Sequence, residues 1–140
     1  MPQISFFQEE VDFTLADKES TIAWISKVIN QEGAILEDLN FIFCNDDYLH
    51  QINVNYLDHD TYTDIITFDN SEEEGKIEGD IFISVERIEE NSHSFNVSFD
   101  QELHRVIIHG VLHLIGYNDK TDEEKLLMRK KEEASLSLRK

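Results

Sequence analysis

Apolar residues along the 140-residue chain alternate between short, dense runs and longer stretches with helical spacing. The dense runs predict β-strands at residues 4–7, 39–44, 63–68 and 79–84. Spacings of three and four predict helices over about 18–31, 46–56, 85–91, 99–115 and 122–138. The resulting order, βαβαββααα, predicts one α+β sandwich domain over residues 1–140, with about four strands of a mixed sheet packed against about five helices.

Capping residues mark several predicted helix ends. Ser98 with Gln101, and Thr121 with Glu124, each fit the capping box, in which side chains and backbone N–H groups bond reciprocally. Asp17 is a candidate N-cap for the first helix. The side chains expected to pack inward from the second and last helices are Tyr48, Leu49, Ile52, Tyr56, Leu126, Leu127 and Met128.

The segment 103–119, LHRVIIHGVLHLIGYND, has the composition of a helix that is buried on nearly every side. Four polar residues follow one another along the same helix at spacings of three and four, beginning just before this segment. They form what we call the polar stripe: Glu102, Arg105, His109 and His113. Side chains four apart on a helix have Cβ atoms about 5–6 Å apart, so His109 and His113 share one face. A glycine commonly ends a helix, and Gly116 would let the chain turn so that Asp119 returns toward both imidazoles.

Two histidines one turn apart and an aspartate beyond a glycine stop can provide three protein ligands to zinc. Three protein ligands leave a fourth position for water, as in catalytic zinc sites. Two unrelated histidines bonded to other groups are the alternative that the spacing leaves open. The general-base glutamate of HExxH proteases is missing here, because Gly110 stands in its place, and this argues against ordinary peptide hydrolysis.

The run HGVLHLIGYND resembles the signature of the YbeY family of bacterial endoribonucleases, HGxLHLxGYDH. The matching residues are His109, Gly110, Leu112, His113, Leu114, Gly116 and Tyr117. The resemblance extends over roughly residues 53–117, where TDIITF and GDIFIS are similar to the family's TDVLSF and GDIxIS. Asp119 stands where the family usually has a third histidine, and Asn118 replaces an aspartate. Leu57 stands where the family usually has an arginine credited with a part in RNA cleavage.

The resemblance implies a zinc-dependent endoribonuclease that acts on ribosomal RNA, including the 3′ end of 16S rRNA, in ribosome maturation and quality control. It implies one Zn²⁺ per chain, or another divalent metal, held by His109, His113 and Asp119, with ribosomal particles as partners. A bound metal would provide an activated water and polarise a phosphoryl oxygen. Arg105 is a catalytic candidate that could stabilise phosphate charge or pair with Glu102. Asp64 is a further catalytic candidate, with Glu102 or the hydroxide itself as alternative proton acceptors.

Charge and composition restrict these interpretations. The net charge of −18 argues against generic nucleic-acid binding, but residues 120–140 carry a net charge of +2 and are the expected place for RNA contacts outside the metal site. The sequence has one cysteine, Cys44, expected in the core, and shows no membrane span or secretion signal, so we expect a cytoplasmic protein. Two other hypotheses stay open: a non-enzymatic ribosome-assembly factor with a structural metal, and a hydrolase of another substrate.

Overall fold

A mixed sheet lies at the centre of the protein in a computed structural model that describes residues 2–57 and 63–139. The elements are β1 (Gln3–Glu9), α1 (Lys18–Gln31), β2 (Ile35–Cys44), α2 (Asp46–Leu57), β3 (Ile65–Asp69), β4 (Lys76–Ser84), α3 (Val85–Ser94), α4 (Phe99–Ile115) and α5 (Asp122–Ser137). Their order and the α+β class are those predicted from the sequence. The sequence also predicts a polar loop over residues 57–62, of which all but Leu57 lie outside the described residues.

The four strands are arranged β1-β2-β4-β3. β1 runs parallel to β2 and β2 parallel to β4, whereas β3 pairs with β4 in the antiparallel sense. The strands β2 and β4 begin earlier than predicted, because polar and exposed residues before 39 and 79 still pair through their backbones. Asp38, for example, pairs with Glu78, and the N–H of Ile35, which is 60% exposed, donates to the carbonyl oxygen of Gly75 at 2.8 Å.

The two faces of the sheet are covered differently. On one face, alternate residues of β2 and β4 join α1 and α4 in the main core, including Leu39, Phe41, Phe43, Ile77, Ile81 and Ile83. On the other face, α2 packs Leu49 against Cys44 and Ile66. Cys44 is fully buried as expected, and burial, together with the negative charges of Asp46 and Glu9, raises the pKa of its thiol to about 12.

The inward orientation predicted for three side chains is wrong. Tyr56 is 74% exposed, Leu126 66% and Leu127 46%. The buried face of α5 instead runs through Met128, Glu132 and Ser135, at spacings of four and three. Neighbouring leucines on a helix point in different directions, so Leu126 and Leu127 cannot share a face with Met128.

Asp17 occupies the N-cap position of α1, but its side chain makes no capping hydrogen bond. Its backbone is left-handed, with φ of 58° and ψ of 54°. The N-cap conformation in which a side chain reaches the N–H groups of the first turn is extended. The prediction therefore identified the position and not the interaction.

Helix α4 lies between the sheet and α5, and its first turn carries the predicted capping box. Gln101 N–H donates to Ser98 Oγ at 3.0 Å, and Ser98 N–H donates to Gln101 Oε1 at 3.0 Å. Gly110 lets the helix approach the sheet, because a Cβ there would lie 2.9 Å from Ile65 Cδ1 and 3.1 Å from Ile81 Cδ1. Among the helices of the described residues, none combines the length and apolar character needed to cross a bilayer.

Candidate metal centre

The structure brings together the three residues that the sequence offers as metal ligands. The Nε2 atoms of His109 and His113 each lie 3.3 Å from Asp119 Oδ2. One potential ligand atom from each of the three residues lies within 4.8 Å of the other two. The side chains are partly exposed, at 18% for His109, 27% for His113 and 38% for Asp119, so the site is open to solvent.

The end of α4 directs Asp119 back to the histidines. Gly116 has a φ of 129°, a region that side chains disfavour, and its N–H donates to the carbonyl oxygen of Leu112 at 3.1 Å. The next residue, Tyr117, donates its hydroxyl to Glu32 Oε1 at 2.6 Å, and the Lys131 ammonium lies 5.3 Å from its ring centroid. The short turn that carries Asp119 is therefore anchored to both α1 and α5.

A buried carboxylate from α5 bonds to two residues of the polar stripe. Glu132, whose side chain is 3% exposed, places Oε2 at 2.6 Å from His109 Nδ1 and Oε1 at 3.2 Å from Arg105 Nη1. Because the carboxylate bonds to Nδ1, the other ring nitrogen of His109 is turned toward Asp119. A carboxylate on the far nitrogen of a metal-binding histidine fixes the ring orientation and increases its basicity as a ligand.

Electrostatics keep Glu132 ionised. Burial by itself raises the pKa of this carboxyl, but the hydrogen bond from His109 and the positive charges of His109 and Arg105 outweigh burial and lower it below its usual value. Arg105 pairs with Glu102, which was one of its two expected roles. Its Nε and Nη2 donate to the two oxygens of Glu102 at 3.0 and 2.6 Å. Burial opposes the charge on Arg105, yet Glu102 and Glu132 raise its pKa further.

Asp64 lies at the start of β3, beside the polar stripe. Its Oδ2 accepts a hydrogen bond from Asn91 Nδ2 at 3.4 Å. Burial raises the pKa of the Asp64 carboxyl, while the positive charges of Arg105 and His109 act in the opposite direction. Thr63, which precedes it, donates its hydroxyl to the carbonyl oxygen of Ile65 at 3.4 Å, a local contact within the turn into β3.

Two further positions in the segments that resemble the family are Leu57 on α2 and Asp80 on β4. Leu57 ends α2 and is 40% exposed. Asp80 bonds to Asn40 Nδ2 at 3.0 Å and to Asn70 Nδ2 at 3.4 Å, beside Phe82 and Tyr48 on the α2 side of the sheet. The hydrogen bonds of Asp80 thus connect β4 to β2 and to the residue that follows β3.

A cleft of about 280 Å³ opens beside the candidate centre, between α4 and α5. The residues that line it are Arg105, His109, Asp119, Lys125, Met128, Arg129 and Glu132. Asp64 is not among the described residues that line this cleft. A substrate in the cleft would meet one imidazole and the Asp119 carboxylate directly.

The donor set fits a divalent metal in both chemistry and spacing. Each imidazole Nε2 lies 3.3 Å from Asp119 Oδ2, and the three donor atoms lie within 4.8 Å of one another. A tetrahedron with edges of 3.3 Å has its centre about 2.0 Å from each corner, the length of zinc–nitrogen and zinc–oxygen bonds, so these two distances suit zinc. A carboxylate next to two imidazoles also brings the negative charge that a dication requires. The three side chains are thus suited to hold zinc while leaving one position open.

Comparison with known proteins agrees with this geometry. A family model described as endoribonuclease YbeY matches residues 3–139. The chain belongs to the YbeY family. The resemblance predicted from HGVLHLIGY and its flanking segments is thereby confirmed, and it covers nearly the whole chain. The YbeY family is a family of nucleases, which are hydrolases.

Several YbeY relatives are similar over nearly their full length. The endoribonuclease YbeY of Cytophaga hutchinsonii is 53% identical over 137 residues, which are 98% of this chain and 96% of the relative. That of Christiangramia forsetii is 52% identical over 136 residues, or 97% and 94% of the two chains. A Thermotoga maritima protein solved in solution has the same fold, with a TM-score of 0.69, 28% identity and coverage of 97% of this chain and 88% of its own.

Proposed function

We propose that this YbeY-family chain is a zinc-dependent endoribonuclease that hydrolyses phosphodiester bonds of ribosomal RNA during ribosome maturation. The observation that carries the proposal is the convergence of His109, His113 and Asp119 beside an open cleft, in a chain whose relatives are endoribonucleases. The proposed substrates include the 3′ end of 16S rRNA. The enzyme would also take part in ribosome quality control and would act in the cytoplasm.

The roles of the site residues follow from their contacts. His109, His113 and Asp119 would hold one zinc ion, which when bound provides an activated water and a Lewis acid for a phosphoryl oxygen. Glu132 keeps the His109 ring in its ligating orientation. Both oxygens of Glu102 accept hydrogen bonds from Arg105, so of the two carboxyl candidates we propose Asp64 for proton transfer, with the activated water itself as the alternative. The raised pKa of Asp64 lies closer to neutrality than that of an ordinary aspartate, as a general base requires.

The charge of the chain supports a substrate met in a fixed geometry. A net charge of −18 repels free RNA, whereas a ribosomal particle presents RNA at defined positions and with proteins attached. We therefore propose ribosomal particles as the preferred partners of the enzyme.

Metal content and RNA cleavage measured on the same samples test this proposal. The wild type should carry about one zinc per chain and cut a structured rRNA fragment in a chelator-sensitive way. His113→Ala and Asp119→Ala should lose both properties, and His93→Ala, which removes an exposed histidine from α3, should keep both. Full activity of metal-free protein would refute the metal-dependent mechanism. Metal retained by Asp119→Ala would exclude Asp119 as the third ligand.

A second function is favoured by one specific observation, the leucine at position 57 where the family resemblance expects an arginine. Leucine cannot bind phosphate, so the chain could instead serve as a ribosome-assembly factor with a structural metal. That alternative predicts a protein that is inert on RNA, co-sediments with ribosomal particles and loses thermal stability on chelation. Cleavage that disappears in His113→Ala would exclude it.

A further inference from the structure

Two basic side chains border the cleft beside the candidate metal centre. Lys125 and Arg129 lie one turn apart on α5 and line the same cleft as His109 and Asp119. Both are exposed, and the Arg129 side chain retains 58% of its accessible surface. Positive charge is scarce in this chain, with 12 Lys and Arg against 30 Asp and Glu, so its presence here calls for a reason.

The other cations near this end of the molecule are already engaged. Lys131 Nζ lies 3.1 Å from Glu32 Oε2, and Arg139 Nη2 lies 2.7 Å from Asp100 Oδ2. Lys125, by contrast, makes no ion pair with any residue in 2–57 or 63–139. The nearest carboxylate oxygen to Arg129 is Glu132 Oε1, 3.7 Å from Nη1 and beyond hydrogen-bond distance. Both side chains therefore keep N–H donors available to a ligand in the cleft.

One sequence departure in this cleft increases the need for positive charge. Asp119, which lines the cleft, puts a carboxylate where the family resemblance expects a neutral imidazole. It moves the local charge by one unit in the negative direction, and Glu132 adds a second carboxylate to the lining. Lys125 and Arg129 provide two positive charges at the edge of the same cleft.

We propose that Lys125 and Arg129 form a phosphate-binding subsite that holds the RNA backbone next to the bond to be cleaved. A guanidinium can donate two parallel N–H bonds to one phosphate, and a lysine ammonium acts as a point charge on the same or the adjacent phosphate. The shallow cleft suits a single strand of backbone, since its 280 Å³ is too small for a folded helix. This inference rests on the proposed function in one respect, namely that the substrate is RNA.

The test measures RNA binding separately from cleavage. Zinc-loaded wild type, Lys125→Ala, Arg129→Ala and the double variant are titrated into a fluorescent single-stranded RNA with phosphorothioate linkages, which slow hydrolysis. Lys130→Ala is the matched control, because Lys130 is exposed on the same helix but does not line the cleft. Zinc content should be the same in the wild type and all four variants, and loss of zinc on substitution at position 125 or 129 would count against a separate subsite.

The salt dependence of binding is the decisive reading. Each phosphate contact to a single strand contributes about 0.7 to the slope of log affinity against log salt. Between 50 and 200 mM salt, wild-type affinity should therefore fall about sevenfold more than that of the double variant. Arg129→Lys should restore the slope but not the whole affinity, because it keeps the charge and loses the bidentate contact.

The failures of the two proposals are distinguishable. A double variant with the same affinity and slope as Lys130→Ala would overturn the subsite, and so would a wild type that does not bind the RNA. A wild type that binds with the expected slope but never cuts a normal RNA would refute the proposed nuclease function and leave the subsite supported.

Discussion

Replacing Glu132 by glutamine should weaken zinc binding while leaving the fold intact. The side chain is 3% exposed and touches His109 Nδ1 at 2.6 Å, so the substitution removes a buried negative charge from directly behind a candidate ligand. Loss of such a supporting carboxylate typically costs about 10–100-fold in metal affinity, which corresponds to roughly 1.4–2.7 kcal/mol. The fold should persist because Arg105 keeps both of its hydrogen bonds to Glu102.

Competition between the protein and a chromophoric zinc chelator measures this effect. Glu133→Gln is the control, because Glu133 is the next residue on α5, is exposed and undergoes the same change of charge. Circular dichroism on the same samples establishes that both variants are folded. Equal zinc affinities for Glu132→Gln and Glu133→Gln would refute the argument that the carboxylate prepares His109 as a ligand.

Three further predictions concern stability. Gly79→Ala should lower the free energy of unfolding in urea by about 1–3 kcal/mol, because its Cβ would meet the backbone carbonyl oxygen of β3; an unchanged midpoint would contradict this. Trp24→Phe should cost about 1–3 kcal/mol in the same assay, because it leaves the buried Ser135 carbonyl oxygen without the indole N–H that now donates at 2.7 Å. Burial lowers the pKa of His104, so the unfolded chain binds its proton more readily and stability should fall as pH drops below about 6.5. His104→Gln should show a smaller loss between pH 7 and pH 5 in pH-dependent urea melts, and an equal loss would show that other groups cause it.

The sequence predicted best where one local interaction decides the structure. The capping boxes at Ser98 and Thr121 set the first residues of α4 and α5, because each box bonds groups only three residues apart. The spacing of His109 and His113 likewise predicts a shared face without any tertiary information.

Glu132 shows what local pattern cannot reveal. It is an acid in a helix whose other described acids are exposed or half-exposed, and nothing in its neighbourhood in the sequence separates it from Glu133. Its partners, Arg105 and His109, are 27 and 23 residues away, so its role depends on how α5 docks on α4. The spacing of Met128, Glu132 and Ser135 was the available signal, but the polarity of Glu132 and Ser135 concealed a buried face. The same reason explains the wrong orientation predicted for Leu126.

Because the protein has a single cysteine and it is buried, the rate at which Cys44 reacts with a thiol reagent reports transient opening of the structure around it. Thiol reagents attack the thiolate, which is nearly absent at neutral pH when the pKa is about 12 and the sulfur is fully buried. Alkylation of Cys44 must therefore wait until α2 separates from the sheet or the whole chain unfolds. Mass spectrometry of the labelled chain over time would report the frequency of those events without any engineered label.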